Sequence, residues 1–377
     1  MNNFAFNSIS QIQINLPTFS ERGSKKWISY GEDNLYPQFI ASLFLRSAIN
    51  RTAIQSKIDA TIGNGLKTTD EALNYVLVRA NPIDSWNDVF EKCAQDYITF
   101  GGYAMNIIWS NDGKTISEIY HLDFTKVRSG KIEPGEDLPR EYFYSTNWEN
   151  SNKYKPTQYA TYNPALSLEQ PSQILYAFDY EPGNIYYPLP TYAGSINDIQ
   201  IDIEVSKFHI SNLANSLNPS LFISLNNGIP APEERKEIYD ELTMAYRGTE
   251  NAGKAFVAFS QDKEHAPEVT PITSTNDNYY TTLETRITTR ILTGHRITSP
   301  LLLGLYNGGA GFSSNADELA VAYGHFIGTC IRPIQKSMLR VFNNLMLNSG
   351  YDTDLYIVPT TIIEPTAIPT TTTSIVE

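Results

Sequence analysis

The stretch Leu301 to Ser314, LLLGLYNGGAGFSS, is the part of this chain whose residue types come nearest to a reactive or ligand-binding loop. Glycine-rich turns ahead of a helix can hold phosphate with backbone N–H groups. The pattern G-x-x-x-x-G-K-[ST] requires a lysine and then a hydroxyl directly after its second glycine. Here Gly304 is followed by Gly309 at the sixth position, and Ala310 stands where the lysine belongs. The pattern G-x-G-x-x-G also fails, and no strand clearly precedes the loop. A phosphate-ligand-binding enzyme using Gly304 to Gly311 is therefore an alternative, set against a mobile connection between two helices.

Other reactive sets are missing. His121, His209, His265, His295 and His325 lack metal-binding spacing such as H-E-x-x-H. No G-x-S-x-G elbow occurs. Cys93 and Cys330 are isolated in apolar sequence, which reads as small core residues rather than a disulfide or metal pair. The acidic pairs Glu233-Glu234 and Asp317-Glu318 fall at predicted helix starts, where the dipole favours negative charge. No catalytic residue, metal or cofactor is expected. The 24 tyrosines, with Trp86, Trp109 and Trp148, leave an aromatic-rich binding module as a further alternative, although such residues more often fill cores and interfaces.

Composition sets limits. A chain of 377 residues with 41% apolar content can bury a core and suggests two or three domains. It has no apolar run of transmembrane length, so no membrane partner is expected. The first thirty residues lack the charged start and apolar run of a signal peptide, which predicts synthesis inside the cell. The net charge of −13 lacks the basic footprint of a protein that grips nucleic acid; it fits equally a soluble acidic protein with no nucleic-acid role and a conduit through which DNA must slide, and charge alone does not separate the two.

The elements that would position these residues centre on 186 to 348. Tyr192 to Leu217 predicts a long helix: Ile196, Ile199, Ile203, Ile210, Leu213 and Leu217 form one stripe, and Ile201, Val205 and Phe208 form a second. A helix apolar on two faces needs two neighbours. Asn218-Pro219 stops it. A strand (Leu221 to Leu225), a helix (PEERKEIYDELTMAYRG) and a strand (Phe256 to Phe259) follow, then a second long helix, NYYTTLETRITTRILTGH. After the glycine-rich loop, Ser314 to Leu347 repeats Leu319, Tyr323, Phe326, Cys330, Ile334, Met338, Val341 and Leu345 on one face. Pro333 should kink that helix near Thr329.

The N-terminal half reads as an irregular arm (1 to 34), a turn at GEDNLYP, and one amphipathic helix from Gln38 to Ile62, with Arg46, Arg51 and Lys57 off its apolar face. A helix from Ser85 to Phe100 buries Val89, Cys93, Ala94 and Tyr97. A hairpin turns at Asn111-Asp112-Gly113, and strands are predicted at Glu141 to Ser145, Gln158 to Tyr162 and Ile174 to Phe178. The chain closes with LYIVP and a Thr/Pro-rich tail.

The order of YYPLPTYAGSINDI, NPSLFISL, APEERKEIYDELTMAYRG, GKAFVAF, TRITTRILTGHRITSPLLLGL and SSNADELAVAYGHFIGTCIRPIQKSMLRVFNNLM resembles the portal proteins of tailed double-stranded-DNA bacteriophages. The resemblance implies an α+β fold divided into a wing (1–185), stem helix 1 (186–218), a small α/β clip (219–275), stem helix 2 (276–298), a tunnel loop (299–314), a long kinked wing helix (315–348) and a short crown or tail (349–377). It implies a homo-oligomeric ring, expected to be a dodecamer, at one capsid vertex of the virion, made in the host cytoplasm. Its implied partners are double-stranded DNA in the channel, the terminase large subunit, the major capsid protein and a head-tail adaptor protein. Leu305, Tyr306, Asn307, Gly308, Gly309, Gly311 and Phe312 would form the tunnel loop. Arg286, Arg290 and Arg296 would face the channel or pair with carboxylates such as Glu284 and Asp202. Ile199, Ile203, Phe208, Leu221, Phe222, Phe256 and Phe259 are candidates for contacts between subunits, because short strand edges need a cover.

Overall fold

Ser47 breaks the helix expected from Gln38 to Ile62 into two. Its backbone is extended (φ −97°, ψ 117°), and its hydroxyl accepts a hydrogen bond from the Asn50 N–H at 3.2 Å. The result is α1 (Tyr36–Arg46) followed by α2 (Ala48–Ile62). A serine that caps the next helix outweighs continuous apolar spacing. Lys57 also departs from expectation: it shares the buried face of α2 with Ala53, Ile54, Ile58 and Thr61 and is only 1% exposed.

The computed structural model describes residues 19, 25–215, 222–225, 230–245, 256–259, 277–303 and 316–360. The chain divides into two units, one comprising Met1–Asn197 and Thr289–Glu377, the other Asp198–Thr288. The division cuts both long helices of the central region, α4 (Ile196–Asn215) and α6 (Asp277–Gly294).

In the larger unit, α3 (Trp86–Phe100) starts with a capping box: the Ser85 hydroxyl accepts from the Asp88 N–H at 3.1 Å, and the Asp88 carboxylate accepts from the Ser85 N–H at 2.8 Å. Gly101 ends it at φ 91°, and a side chain there would run into the Leu189 carbonyl. Val89, Cys93, Ala94 and Tyr97 are buried as their spacing predicts.

Six strands build the main sheet: β2 (Gly102–Trp109), β3 (Ile116–Leu122), β4 (Val127–Ser129), β5 (Glu141–Tyr144), β6 (Thr157–Thr161) and β7 (Ser172–Phe178). Their order is β3-β2-β7-β6-β5-β4, with only β6 and β7 parallel. The hairpin turns at Gly113, φ 67°, as Asn-Asp-Gly foretells. Part of the expected N-terminal arm belongs to this sheet. Trp27 bridges Gly130, the Ile28 N–H donates to the Ser129 carbonyl at 2.8 Å, and Ile28 and Tyr30 are buried.

Arg128, fully buried, fastens that edge. Its guanidinium donates to the Asn34 side chain and carbonyl, each at 2.7 Å, and to the Val127 carbonyl at 2.8 Å, and it lies over the Tyr30 and Trp148 rings. The aromatics are largely core: Trp86, Trp109 and Trp148 are buried, and Tyr30 stacks on Tyr187 with centroids 4.0 Å apart. From the C-terminal side, Phe342 packs edge-on to Phe90 and Trp86. Burying such a ring contributes about 2–3 kcal/mol. A two-stranded sheet joins β1 (Leu66–Thr68) to β10 (Leu355–Ile357).

In the smaller unit, β8 (Phe222–Leu225) and β9 (Phe256–Phe259) pair in parallel, Phe222 with Phe256 and Leu225 with Phe259. Parallel strands need a crossover. The helix α5 (Pro232–Ala245) lies between them in the chain and carries Glu233 and Glu234 in its first turn. This is the strand, helix and strand order read from the sequence.

Candidate functional site

Three of the predicted residues, Arg286, Arg290 and Arg296, lie on or just beyond α6. The helix stops in a Schellman motif: the Ile297 N–H reaches the Leu292 carbonyl at 2.9 Å and the Arg296 N–H reaches that of Thr293 at 2.9 Å. Leu292 and Ile297 then meet in one apolar cluster with Ala53, Phe326, Cys330 and Ile331. The left-handed position of this motif is usually glycine. Here it is Arg296, at φ 59°. Its guanidinium donates to the Thr329 carbonyl at 3.0 Å.

Thr329 lies where Pro333 predicts a kink, and the helix there is irregular. The expected long helix is α7 (Ala316–Phe326), one π-helical turn (Ile327–Ile331) and α8 (Arg332–Asn348). Proline has no N–H, so the carbonyl four residues earlier loses its α-helical donor. That carbonyl belongs to Thr329. Much of the predicted face holds: Phe326, Cys330, Ile334, Met338 and Leu345 are buried, whereas Leu319, Tyr323 and Val341 are half-buried and Phe342 is buried beside Val341.

Beneath this junction is a buried polar group. His295 stacks on Tyr192 (4.4 Å between centroids), and its Nε2 lies 2.8 Å from Asn50 Oδ1 on α2. Burial, reinforced by the charge on Lys57, pushes the imidazole well below its ordinary value, so it is neutral. With Asn50 presenting oxygen, Nε2 carries the proton. Lys57 donates to Thr191 Oγ1 at 3.2 Å, and burial lowers its pKa as well, with a smaller downward push from Arg296. Gln335 of α8 donates to the Thr61 carbonyl at 3.0 Å. The Ser195 hydroxyl donates to the Arg290 carbonyl at 3.1 Å, and a side chain at Gly294 would strike Ser195. The arrangement fixes backbone ends.

The structure thus brings Arg296 to the π turn and leaves Arg286 and Arg290 exposed, one turn apart on α6. Glu284, one of the carboxylates considered for them, instead has His209 Nε2 at 3.3 Å. Ile199 and Ile203 are buried in the single chain, at 0% and 5%, while Phe208 is 42% exposed. Phe222 is on β8, and Phe256 and Phe259 are on β9. Leu221 and the loop residues Leu305, Tyr306, Asn307, Gly308, Gly309, Gly311 and Phe312 lie outside the described residues. Among the described residues no cluster of three His, Cys, Asp or Glu side chains is placed to hold a metal, and no helix is long and apolar enough to cross a membrane.

Sequence reading overlooked Asn50, Lys57 and His295. The one available signal was Lys57 itself, four residues after Ala53 and three after Ile54, on the apolar face.

Residues 47–361 match the family described as "Phage portal protein". The family is one of structural proteins rather than known enzymes. This chain belongs to the phage portal protein family, and its role is that of a capsid portal. None of the curated proteins matches the sequence. Among solved structures, the fold is similar to a chain of the "Virion of native gene transfer agent (GTA) particle", at 16% identity and TM-score 0.59, covering 86% of this chain and 84% of that one. It is likewise similar to a chain of the "Neck of native GTA particle computed with C12 symmetry", at 16% identity and TM-score 0.58, covering 85% and 83%. A weaker likeness, TM-score 0.45 at 13% identity over 85% of this chain and 95% of the other, is to an HK97-family phage portal protein from Corynebacterium diphtheriae.

Proposed function

We propose that twelve copies of this chain close into a ring at one vertex of the capsid, with duplex DNA passing along the axis during packaging and ejection. The observation that carries this reading is the family match across residues 47–361. The likeness to a chain of a particle neck computed with C12 symmetry supports the subunit number. In this reading the wing is 1–185 together with the kinked helix 315–348, and it meets the major capsid protein. The stem is 186–218 and 276–298. The clip, 219–275, meets the terminase large subunit and later the head-tail adaptor. Residues 299–314 form the tunnel loop, and 349–377 form a short crown or tail.

The protein has no catalytic duty in this scheme, and no cofactor. Each subunit contributes a net charge of −13, so the ring is acidic overall. Arg286 and Arg290 on α6, with Arg296 beyond its end, supply local attraction for phosphates against that background. Weak attraction lets DNA slide, whereas many phosphate contacts would hold it. Phe208, exposed on α4, with Leu221 and the strands carrying Phe222, Phe256 and Phe259, supplies the contact between copies, whereas Ile199 and Ile203 are already buried within the chain.

Light scattering coupled to size-exclusion chromatography tests the assembly. A particle of twelve times the 42.4 kDa chain mass is expected, and a monomer at high concentration would sink the proposal. The rings should bind duplex DNA weakly and lose that binding as salt rises. Tight binding at high salt would contradict a sliding conduit.

A further inference from the structure

Strand β7 is paired along its whole length on one side only. Toward β2 the register runs from Ser172 to Phe178, ending at Gly102↔Phe178. Toward β6 it stops after two pairs, Ala160↔Gln173 and Thr161↔Ile174, with the Tyr162 N–H donating to the Ile174 carbonyl at 2.9 Å. Backbone groups alternate in direction along a strand. Since Ile174 turns its carbonyl away from β2, Tyr176 and Phe178 turn theirs, and their N–H groups, the same way. Among the described residues no turn, loop or side-chain hydrogen bond is made by these groups. Unpaired main-chain groups at a strand edge are a template for another strand.

The open edge does not face a flat surface. It lines a cleft of about 600 Å³ whose walls include Tyr103, Leu138, Tyr180 and Ile185. The hydroxyl of Tyr103 is buried without a hydrogen-bond partner, and Tyr180, at the rim, is 87% exposed. Open main-chain groups beside apolar pockets are the two requirements for binding an extended peptide by strand addition.

We propose that the occupant is the N-terminal segment of the same chain, Gln11 to Leu16, lying along Leu175 to Phe178 as an added strand. The segment reads QIQINL, so Ile12, Ile14 and Leu16 alternate with Gln11, Gln13 and Asn15. One face is apolar and the other polar, as a strand between an apolar wall and water requires. The segment also starts close by. The Phe19 ring lies 5.4 Å from that of Tyr187, and the Tyr187 ring lies 6.5 Å from that of Tyr176. Leu16 is three residues upstream of Phe19, a reach of about 10 Å when extended. Assignment to the same chain rests on this proximity and is independent of the portal reading.

Hydrogen exchange at the Tyr176 and Phe178 amides tests the proposal. In the full chain they should exchange at least about tenfold more slowly than in a chain lacking residues 2–17, while the β2 amides of Tyr103 and Met105 stay unchanged. A synthetic peptide of residues 9–18 should restore the protection; the same composition without alternation should not. If the shortened chain fails to fold, Ile14→Asp in the full chain decides, and it should remove the protection. Equal exchange with and without the segment overturns the proposal, and so does protection that survives its removal. Protection that is present in the assembled form but lost on dilution to single chains assigns the segment to a neighbouring copy and overturns the same-chain assignment.

Discussion

Arg296 and Thr329 are 33 residues apart and are joined by one hydrogen bond, guanidinium to carbonyl at 3.0 Å. The carbonyl is the one that Pro333 leaves without its α-helical donor, and the donor comes from a residue held in the left-handed region. Two local irregularities, a helix end without glycine and a helix with an internal proline, meet and compensate one another. They anchor the chain on either side of residues 299–314, the segment proposed to enter the channel.

Arg296→Ala should therefore lower stability by about 1–2 kcal/mol in denaturant titration. Arg296→Gly should lose less, because glycine removes a left-handed strain of about 1 kcal/mol. In a Pro333→Ala background the loss from Arg296→Ala should shrink by at least about 0.5 kcal/mol, since the helix then has its own N–H in that turn. Additive effects of the two substitutions would separate Arg296 from the kink.

His295 makes stability depend on pH. Its folded pKa lies well below the ordinary 6.5, chiefly through burial, so below that value the unfolded chain binds more protons than the folded one. Stability should fall as pH drops below about 6.5 toward the folded value. Lys57 acts in the same sense at the alkaline end: with its folded pKa lowered, stability should rise as pH climbs toward 10.5. Lys57→Met should flatten the alkaline slope, and His295→Phe should remove part of the acid slope. Unchanged slopes in both variants would show that neither group is buried in solution.

Arg128→Met should cost about 1–3 kcal/mol, because the Asn34 and Val127 carbonyls lose a donor inside the fold. Arg128→Lys should not rescue it. A single ammonium cannot span acceptors that a planar guanidinium reaches with three nitrogens. Thermal melts of the three proteins check this, and a lysine variant as stable as the parent would refute the multidentate role.

Phe208→Asp places a charge on the exposed part of α4 and should leave the fold intact. If that face meets a neighbouring copy, burying the unpaired carboxylate costs several kcal/mol per contact and rings should be lost. Circular dichroism and light scattering together read the outcome. Rings of normal stability would remove Phe208 from the interface.

Deletion of Asn307 to Gly311 should leave rings and procapsids assembled and impair DNA packaging or retention. The glycines permit many backbone conformations, and Leu305, Tyr306 and Phe312 carry the bulk that would narrow a bore. Wild-type packaging by the deleted protein would end the tunnel-loop assignment.

Local signals were enough to read much of this protein from its sequence. Asn-Asp-Gly marks its hairpin, Ser85 marks a helix start, and Pro333 marks an irregular turn around Thr329; each acts through backbone groups within a few residues. The order of segments from 186 to 348 also carried the family. Tertiary structure decided what depends on distant partners. Lys57 looked solvated until α2 packed beside Thr191, and Ser47 looked like the middle of a helix until its hydroxyl capped the next one. The bond from Arg296 to the Thr329 carbonyl joins residues 33 apart and could not be read from either one alone. The open edge of β7 is likewise invisible in sequence, because pairing is settled by where β6 diverges rather than by the residues of β7 themselves.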